Sequence, residues 1–299
     1  MAELNKDFQI EVGGLLMGPG TPYVIADVPG FGTPDLRSQD VDSPAGDGVF
    51  PGVDYYGMRA VRIEAAIRTP GDPAAAADAL AALHRMAATA AVRKKAGALT
   101  SLRVKWPGRP ARRFYGRVRR AEAITTAQLI HGWVPLDLGF DALDSTVHDD
   151  VEQSLVLPLD ISQDAFGFKA PVIAPITTGV SNPATRPGWM TNRGDLPAFP
   201  KLRISGPVAN PRVWIAETGK ALQLALTLGP GEYVEIDTRL GARWVVKNGF
   251  GSAQTALSTS SRLDQFQIPP GRSELRWTAT DYTNTTRLAI TWRDAYTAL

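Results

Sequence analysis

Glycine and proline recur so densely in this chain, at 28 and 23 of 299 residues, that tight turns must be frequent and long helices rare. That punctuation favours β architecture. One stretch is different. Asp72 can accept the first free N–H groups of a helix, Pro73 suits the first helical position, and Ala76, Leu80, Leu83, Ala87 and Ala90 form a stripe at helical spacing. Arg93, Lys94 and Lys95 follow where cations oppose the helix dipole, and Gly97 can end it, so the pattern predicts a helix over 72–96.

Around that helix the chain alternates with period two. Val61, Ile63, Ala65 and Ile67 share one face against Arg62, Glu64 and Arg68. Leu102, Val104 and Trp106, the turn Pro107-Gly108-Arg109-Pro110, and then Phe114 and Val118 read as a hairpin, and Val134, Leu136, Leu138 and Phe140 add another strand. A chain of 299 residues fits two ordinary domains. The first is placed at 1–152, a small sheet with one packed helix. The proline-rich stretch 153–200 reads as a connecting and wrapping segment that joins the second domain. From 201 to 299 short alternating runs, such as Leu202 and Ile204, Val213 and Ile215, and Leu288, Ile290 and Trp292, recur at sandwich spacing. The expectation is mainly β: a helix-bearing sheet domain, then an antiparallel jelly-roll β-sandwich.

Motifs for chemistry are missing. Without cysteine there are no disulfides, thiolate nucleophiles or sulfur-ligated zinc sites. His84, His131 and His148 stand apart from each other and from zinc-peptidase spacing, and no glycine-rich phosphate loop opens a helix after a strand. Asp40 to Pro44 begins like a calcium loop but carries proline at the third ligand. No catalytic, cofactor-binding or metal residues are therefore assigned, and no cofactor. Glu3 and Asp7 stand where a secretory signal needs apolar residues, and no run approaches the ~18 apolar residues of a membrane helix. A chain made in the cytoplasm, with no membrane insertion, is expected.

The sharpest feature is charge segregation. Between Asp78 and Glu122 there is no acid, yet Arg85, Arg93, Arg103, Lys105, Arg117 and Arg119 are among the cations there. Between Arg120 and Lys169 the sign inverts, with Asp137, Asp141, Asp144, Asp149 and Asp150 and no Lys or Arg, and Asp35 to Asp54 forms another acidic loop. Three readings stand open: solvated faces, nucleic-acid binding, or a subunit whose basic edge meets a neighbour's acidic edge head to tail. The third makes Arg103, Lys105, Arg117, Arg119, Asp141, Asp144, Asp149 and Asp150 candidate interface residues.

The tripeptide Arg193-Gly194-Asp195 reads as a turn at the entrance to the sandwich rather than an adhesion loop. With Thr191-Asn192 before it, then Ala198-Phe199-Pro200, Ile204-Ser205-Gly206-Pro207, Asn210-Pro211, Ile236-Asp237-Thr238, Pro270-Gly271 and Trp292-Arg293-Asp294, it resembles the C-terminal half of the distal tail proteins (minor tail proteins) of long-tailed, siphovirus-like bacteriophages. IEAAIRTPGDPAA at Ile63 to Ala75 and the hairpin from Val104 to Gly116 resemble that family's N-terminal half.

The resemblance implies a structural virion protein with a tail-tube-like β-sandwich or split barrel and then a galectin-like sandwich. It implies a hexameric ring at the tail tip that joins the tail tube protein to tail tip, baseplate and host-binding proteins, leaving a lumen for DNA to pass without specific binding. Some members bind host surface glycans. A carbohydrate-binding module with an N-terminal attachment domain is thus the alternative reading, and Trp214, Tyr233 and Tyr282 are the candidate sugar-stacking residues.

Overall fold

The computed structural model describes residues 3–159, 188–280 and 285–299, and it divides into two compact units, Met1–Val151 with Ala295–Leu299, and Glu152–Asp294. In the first unit Arg59–Arg68 buries Val61, Ile63, Ala65 and Ile67, as its alternation demands. It pairs antiparallel with Trp133–Ala142 along its full length, Arg59 opposite Ala142 and Arg68 opposite Trp133. Beyond Trp133–Ala142 follow Arg112–Ala123, Thr100–Val104, Ile10–Val12 and Leu15–Met17, while Tyr23–Asp27 flanks Arg59–Arg68 on the other side. The hairpin read across Pro107 to Pro110 forms, with Val104 opposite Arg112 and Leu102 opposite Phe114.

The two ends of this strand order, Leu15–Met17 and Tyr23–Asp27, are neighbours in sequence, and the Gly18 N–H donates to the Tyr23 carbonyl at 2.8 Å. The sheet therefore curls until its ends meet and forms a near-barrel. Fully buried Phe114, Phe140, Leu102, Leu136 and Leu138 fill its interior, each contributing about 1.5–3 kcal/mol.

The helix Pro73–Ala87 covers the sheet with buried Ala76, Ala79 and Leu83, and the Asp72 carboxylate accepts the Ala75 N–H at 2.9 Å. It ends earlier than the predicted residue 96. The Thr89 hydroxyl donates to the Met86 carbonyl at 2.8 Å, occupying an acceptor the next helical N–H needs, and a separate short helix runs over Ala90–Arg93.

Between Asp35 and Gly57 the chain leaves the sheet as a two-stranded ribbon. Leu36–Arg37 pairs with Tyr55–Tyr56 and Val41–Asp42 with Val49–Phe50, every one of these residues exposed. At its base Gly30 has φ +108°, and a Cβ there would stand 2.2 Å from the Ala60 carbonyl oxygen, so only glycine fits.

The second unit is an antiparallel two-sheet sandwich, the predicted class. One sheet runs Gln153–Pro158, Arg287–Trp292, Lys201–Ser205, Tyr233–Asp237, Trp244–Lys247, Gly251–Ser252. The other runs Trp189–Asn192, Gly271–Thr280, Val208–Ile215, Ala221–Gln223, with Thr227–Leu228 also on Val208–Ile215. The Trp277 Nε1–H donates across to the Pro158 carbonyl at 2.9 Å and the Trp292 Nε1–H to the Thr191 carbonyl at 3.3 Å, so the two buried indoles tie the sheets together.

Three readings change. The segment 153–200 does more than wrap, because its Gln153–Pro158 and Trp189–Asn192 are strands of the sandwich; the rest of its prolines between 160 and 187 lie outside the described residues. The last five residues leave the sandwich, and Ala295–Tyr296 pairs with Val147–Asp149 in the first unit. Alternation of Trp244 with Val246 predicts a core position for Trp244, but Val245 is the buried residue there, and Trp244 lies half-buried with the Lys201 ammonium 5.5 Å from its ring centroid. Arg193-Gly194-Asp195 is a turn between sandwich strands, fixed by buried Asn192, whose Oδ1 accepts the Gly194 N–H and whose Nδ2 donates to the Leu196 carbonyl.

Candidate functional site

Strand register decides what the segregated charges do. Arg112 lies opposite both Val104 and Asp149, and Arg113 opposite Arg103 and His148, so the basic hairpin and the acidic segment after residue 140 are drawn together inside one subunit. Arg103 donates from Nε and Nη2 to the two Asp150 oxygens at 2.8 and 2.6 Å and from Nη1 to Glu11 Oε2 at 2.5 Å. Arg113 reaches Asp150 at 2.9 Å and Arg112 reaches Asp149 at 2.7 Å, while the Arg112 guanidinium lies 3.6 Å from the Tyr296 ring centroid. Burial raises the Asp150 carboxyl, but hydrogen bonds from Arg103 and Arg113 outweigh burial and hold it below the usual carboxylate range. Asp144 behaves alike: burial opposes ionisation, and the hydrogen bonds with His148 Nε2 at 3.0 Å and from the Thr146 N–H at 3.0 Å are among the contacts that together overcome it.

Of the eight candidate interface residues, then, Arg103, Asp149, Asp150 and Asp144 are committed within their own chain. Lys105 lies 3.6 Å from Asp7, and Arg117 donates to the Ala98 and Lys95 carbonyls at 3.0 and 2.8 Å, holding the segment that follows the helices. Arg119 and Asp141 pair at 3.2 Å with the arginine side chain 52% exposed, which leaves it accessible to a neighbour.

The ribbon from Asp35 to Gly57 is the surface that sequence reasoning missed as an element. Its composition reads as an acidic loop, and Gly46-Asp47-Gly48 between Val41 and Val49 is the hairpin signal it carries. It exposes Val41, Val49, Phe50, Val53, Tyr55 and Tyr56 beside five aspartates and a single arginine. Apolar side chains of that number on an extended arm have no core of their own to enter. The arm is anchored by buried Arg59, whose Nη1 donates to the Phe31 carbonyl at 2.7 Å and also to the Gly32 carbonyl. Elsewhere in the same unit a cleft of about 150 Å³ combines Met86, Val92 and Val118 with Arg93, Arg117 and Arg119.

The aromatic candidates do not form one platform. Trp214 lies on the five-stranded sheet under the Arg212 guanidinium at 5.4 Å, and Tyr233 lies on the six-stranded sheet under Arg203 at 3.7 Å. Tyr282 lies outside the described residues. Among the described residues no three His, Asp or Glu side chains are grouped to hold a metal ion, and no helix is long and apolar enough to cross a membrane.

Comparison with known proteins places this architecture. The family model of the siphovirus-type tail component, C-terminal domain, matches residues 193–296. Among solved structures, SPP1 Dit (gp 19.1), described as a paradigm of the hub adsorption apparatus in Gram-positive infecting phages, aligns over 97% of this chain and 99% of its own at 14% identity and a TM-score of 0.59. A chain of the phage P2 baseplate in its activated conformation with Ca aligns over 95% and 97% at 11% identity and a TM-score of 0.54. No curated protein sequence matches. At such identities the structural likeness shows the fold, and the family match lies almost wholly in the sandwich. Residues 193–296 thus match the siphovirus-type tail component, C-terminal domain, and the chain has, along nearly its whole length, the fold of SPP1 Dit.

Proposed function

We propose that this protein is a structural, non-enzymatic hub of the phage tail tip, whose copies close into a hexameric ring that continues the tail tube, leaves a lumen for DNA, and docks tip or baseplate proteins. The observation that carries the ring is the arm. An exposed ribbon bearing apolar side chains and a net negative charge complements the cleft in the same unit, which mixes Met86, Val92 and Val118 with three arginines, and the arm of one copy laid in the cleft of the next gives a head-to-tail contact that can close. Arg119 at that rim is the member of the predicted charged set best exposed to such a contact.

Native mass measurement on the full chain tests the proposal. A closed oligomer that falls to monomer when Val49 and Phe50 are both changed to Asp is expected, with recovery of the protein in purified particles. A wild-type monomer that is absent from particles, or an oligomer indifferent to the arm, overturns it. The carbohydrate-module alternative gains little from Trp214 and Tyr233, since an arginine lies against each ring and the two lie on separate sheets.

A further inference from the structure

A second concavity, in the sandwich, has a different character. It measures about 270 Å³ and is lined by Arg212, Lys220, Gln223, Ser260, Arg262 and Gln265 among others, with scarcely an apolar side chain. Its geometry follows from register. Arg212 and Trp214 point away from the buried Val213, and lie opposite Gln223 and Ala221 of the edge strand. The Trp214 ring, 5.4 Å below the Arg212 guanidinium, props that side chain beside the pocket. The Lys220 ammonium is held by Gln265 Oε1 at 2.9 Å, and the Gln223 N–H by Ser261 Oγ at 2.9 Å, with Ser261 in turn hydrogen-bonded to Ser258.

Charge is out of balance here. Arg262 shares Asp264 at 3.3 Å, whereas neither Arg212 nor Lys220 has a carboxylate at ion-pair distance among the described residues. Elsewhere in the same unit Arg239, Arg276 and Lys247 each have one. Two uncompensated cations beside amide and hydroxyl groups in one concave site call for a ligand that carries both an anionic group and hydroxyls.

We propose that this pocket binds a phosphorylated sugar or polyol, its phosphate between Arg212 and Lys220 and its hydroxyls on Gln223, Ser260 and Gln265. The volume lies near the lower end for ligand pockets, roughly 300 Å³, and suits one sugar-sized unit. Trp214 is then a positioning residue, acting through Arg212 rather than stacking on the ligand. An acidic peptide is less suited, because the pocket offers no apolar anchor for neighbouring side chains. The residues invoked for the ring belong to the first unit and those of this pocket to the second, so the two proposals fail separately.

Titration calorimetry on the full chain uses four probes: glucose 6-phosphate, glucose, inorganic phosphate and an Asp-rich peptide. A fifth, poly(glycerol phosphate), distinguishes a polymeric surface source from a free sugar phosphate by whether affinity per unit rises with chain length. Glucose 6-phosphate is expected to bind at least tenfold more tightly than glucose or inorganic phosphate, and Arg212→Gln with Lys220→Gln to weaken it at least tenfold. Arg276→Gln, on the same sheet outside the pocket, should leave binding unchanged. Equal binding of glucose 6-phosphate and inorganic phosphate, preference for the peptide, or an unaffected double variant with wild-type melting each overturns the assignment.

Discussion

Replacing Asp150 with Asn tests whether the paired charges of the first unit hold the fold together. The carboxylate accepts from Arg103 at 2.8 and 2.6 Å and from Arg113 at 3.1 and 2.9 Å, and all three side chains are largely buried, between 8% and 13% exposed. Asn keeps the size but offers one acceptor and turns an NH₂ group toward a guanidinium. Breaking a buried pair from one side costs about 3–5 kcal/mol. Glu11, 2.5 Å from Arg103 Nη1, still compensates part of the charge, which argues for the lower end, about 3 kcal/mol. For a unit of this size that lowers the melting temperature by roughly 6–12 °C. The control is Glu122→Gln, whose pair with Arg120 is more than half exposed on both sides and should cost at most about 0.5 kcal/mol. Denaturant and thermal melts at neutral pH read both. An Asn variant within about 1 kcal/mol of wild type, or no worse than the control, would refute the claim that these charges work within the subunit.

Acid should weaken the first unit. The folded Asp144 and Asp150 carboxyls titrate below their ordinary value of 3.8, so their stabilisation is complete above that pH and is lost as pH falls through the depressed folded values. Asp144→Asn should therefore flatten the acid limb of a stability profile, and an unchanged slope would exclude it. Phe114→Ala, at a fully buried position, should cost about 3–5 kcal/mol by denaturant melt, and a loss under 1 kcal/mol would mean the near-barrel collapses around the gap. Arg119→Glu should weaken the proposed ring in native mass spectra at low salt, less so at high salt; equal oligomer at both makes Arg119 a solvated side chain. Arg59→Met should detach the base of the arm from Phe31 and Gly32, seen as faster amide exchange there.

The elements that sequence rendered well are those whose burial is local and periodic. Arg59–Arg68 alternates cleanly because it lies inside the curled sheet, and Asp72-Pro73 marks a helix start through chemistry confined to four residues. The helix end was misjudged because one hydroxyl at Thr89 decides it, against the alanine run that continues past it. The charges needed information of another kind: composition shows two blocks of opposite sign, but only the register of Arg112 with Asp149 shows that they meet within the chain. The arm was illegible as an element because exposed apolar residues make no amphipathic pattern against a core. The pocket near Trp214 depends on Ser260 and Arg262, some forty residues from the strand they face, and no local spacing announces such a pair.

The return of Ala295–Tyr296 to the strand Val147–Asp149 gives the second unit an uncommon standing in the chain. His148 and Ala295 are cross-strand partners, so the path leaves the first unit and re-enters it at nearly the same place, roughly 5 Å apart in a paired ladder. The sandwich is therefore an insertion carried by a closed host. Cutting the chain anywhere between residues 152 and 294 leaves the first unit with its final strand still hydrogen-bonded, and any domain whose own ends lie close together could occupy the same socket.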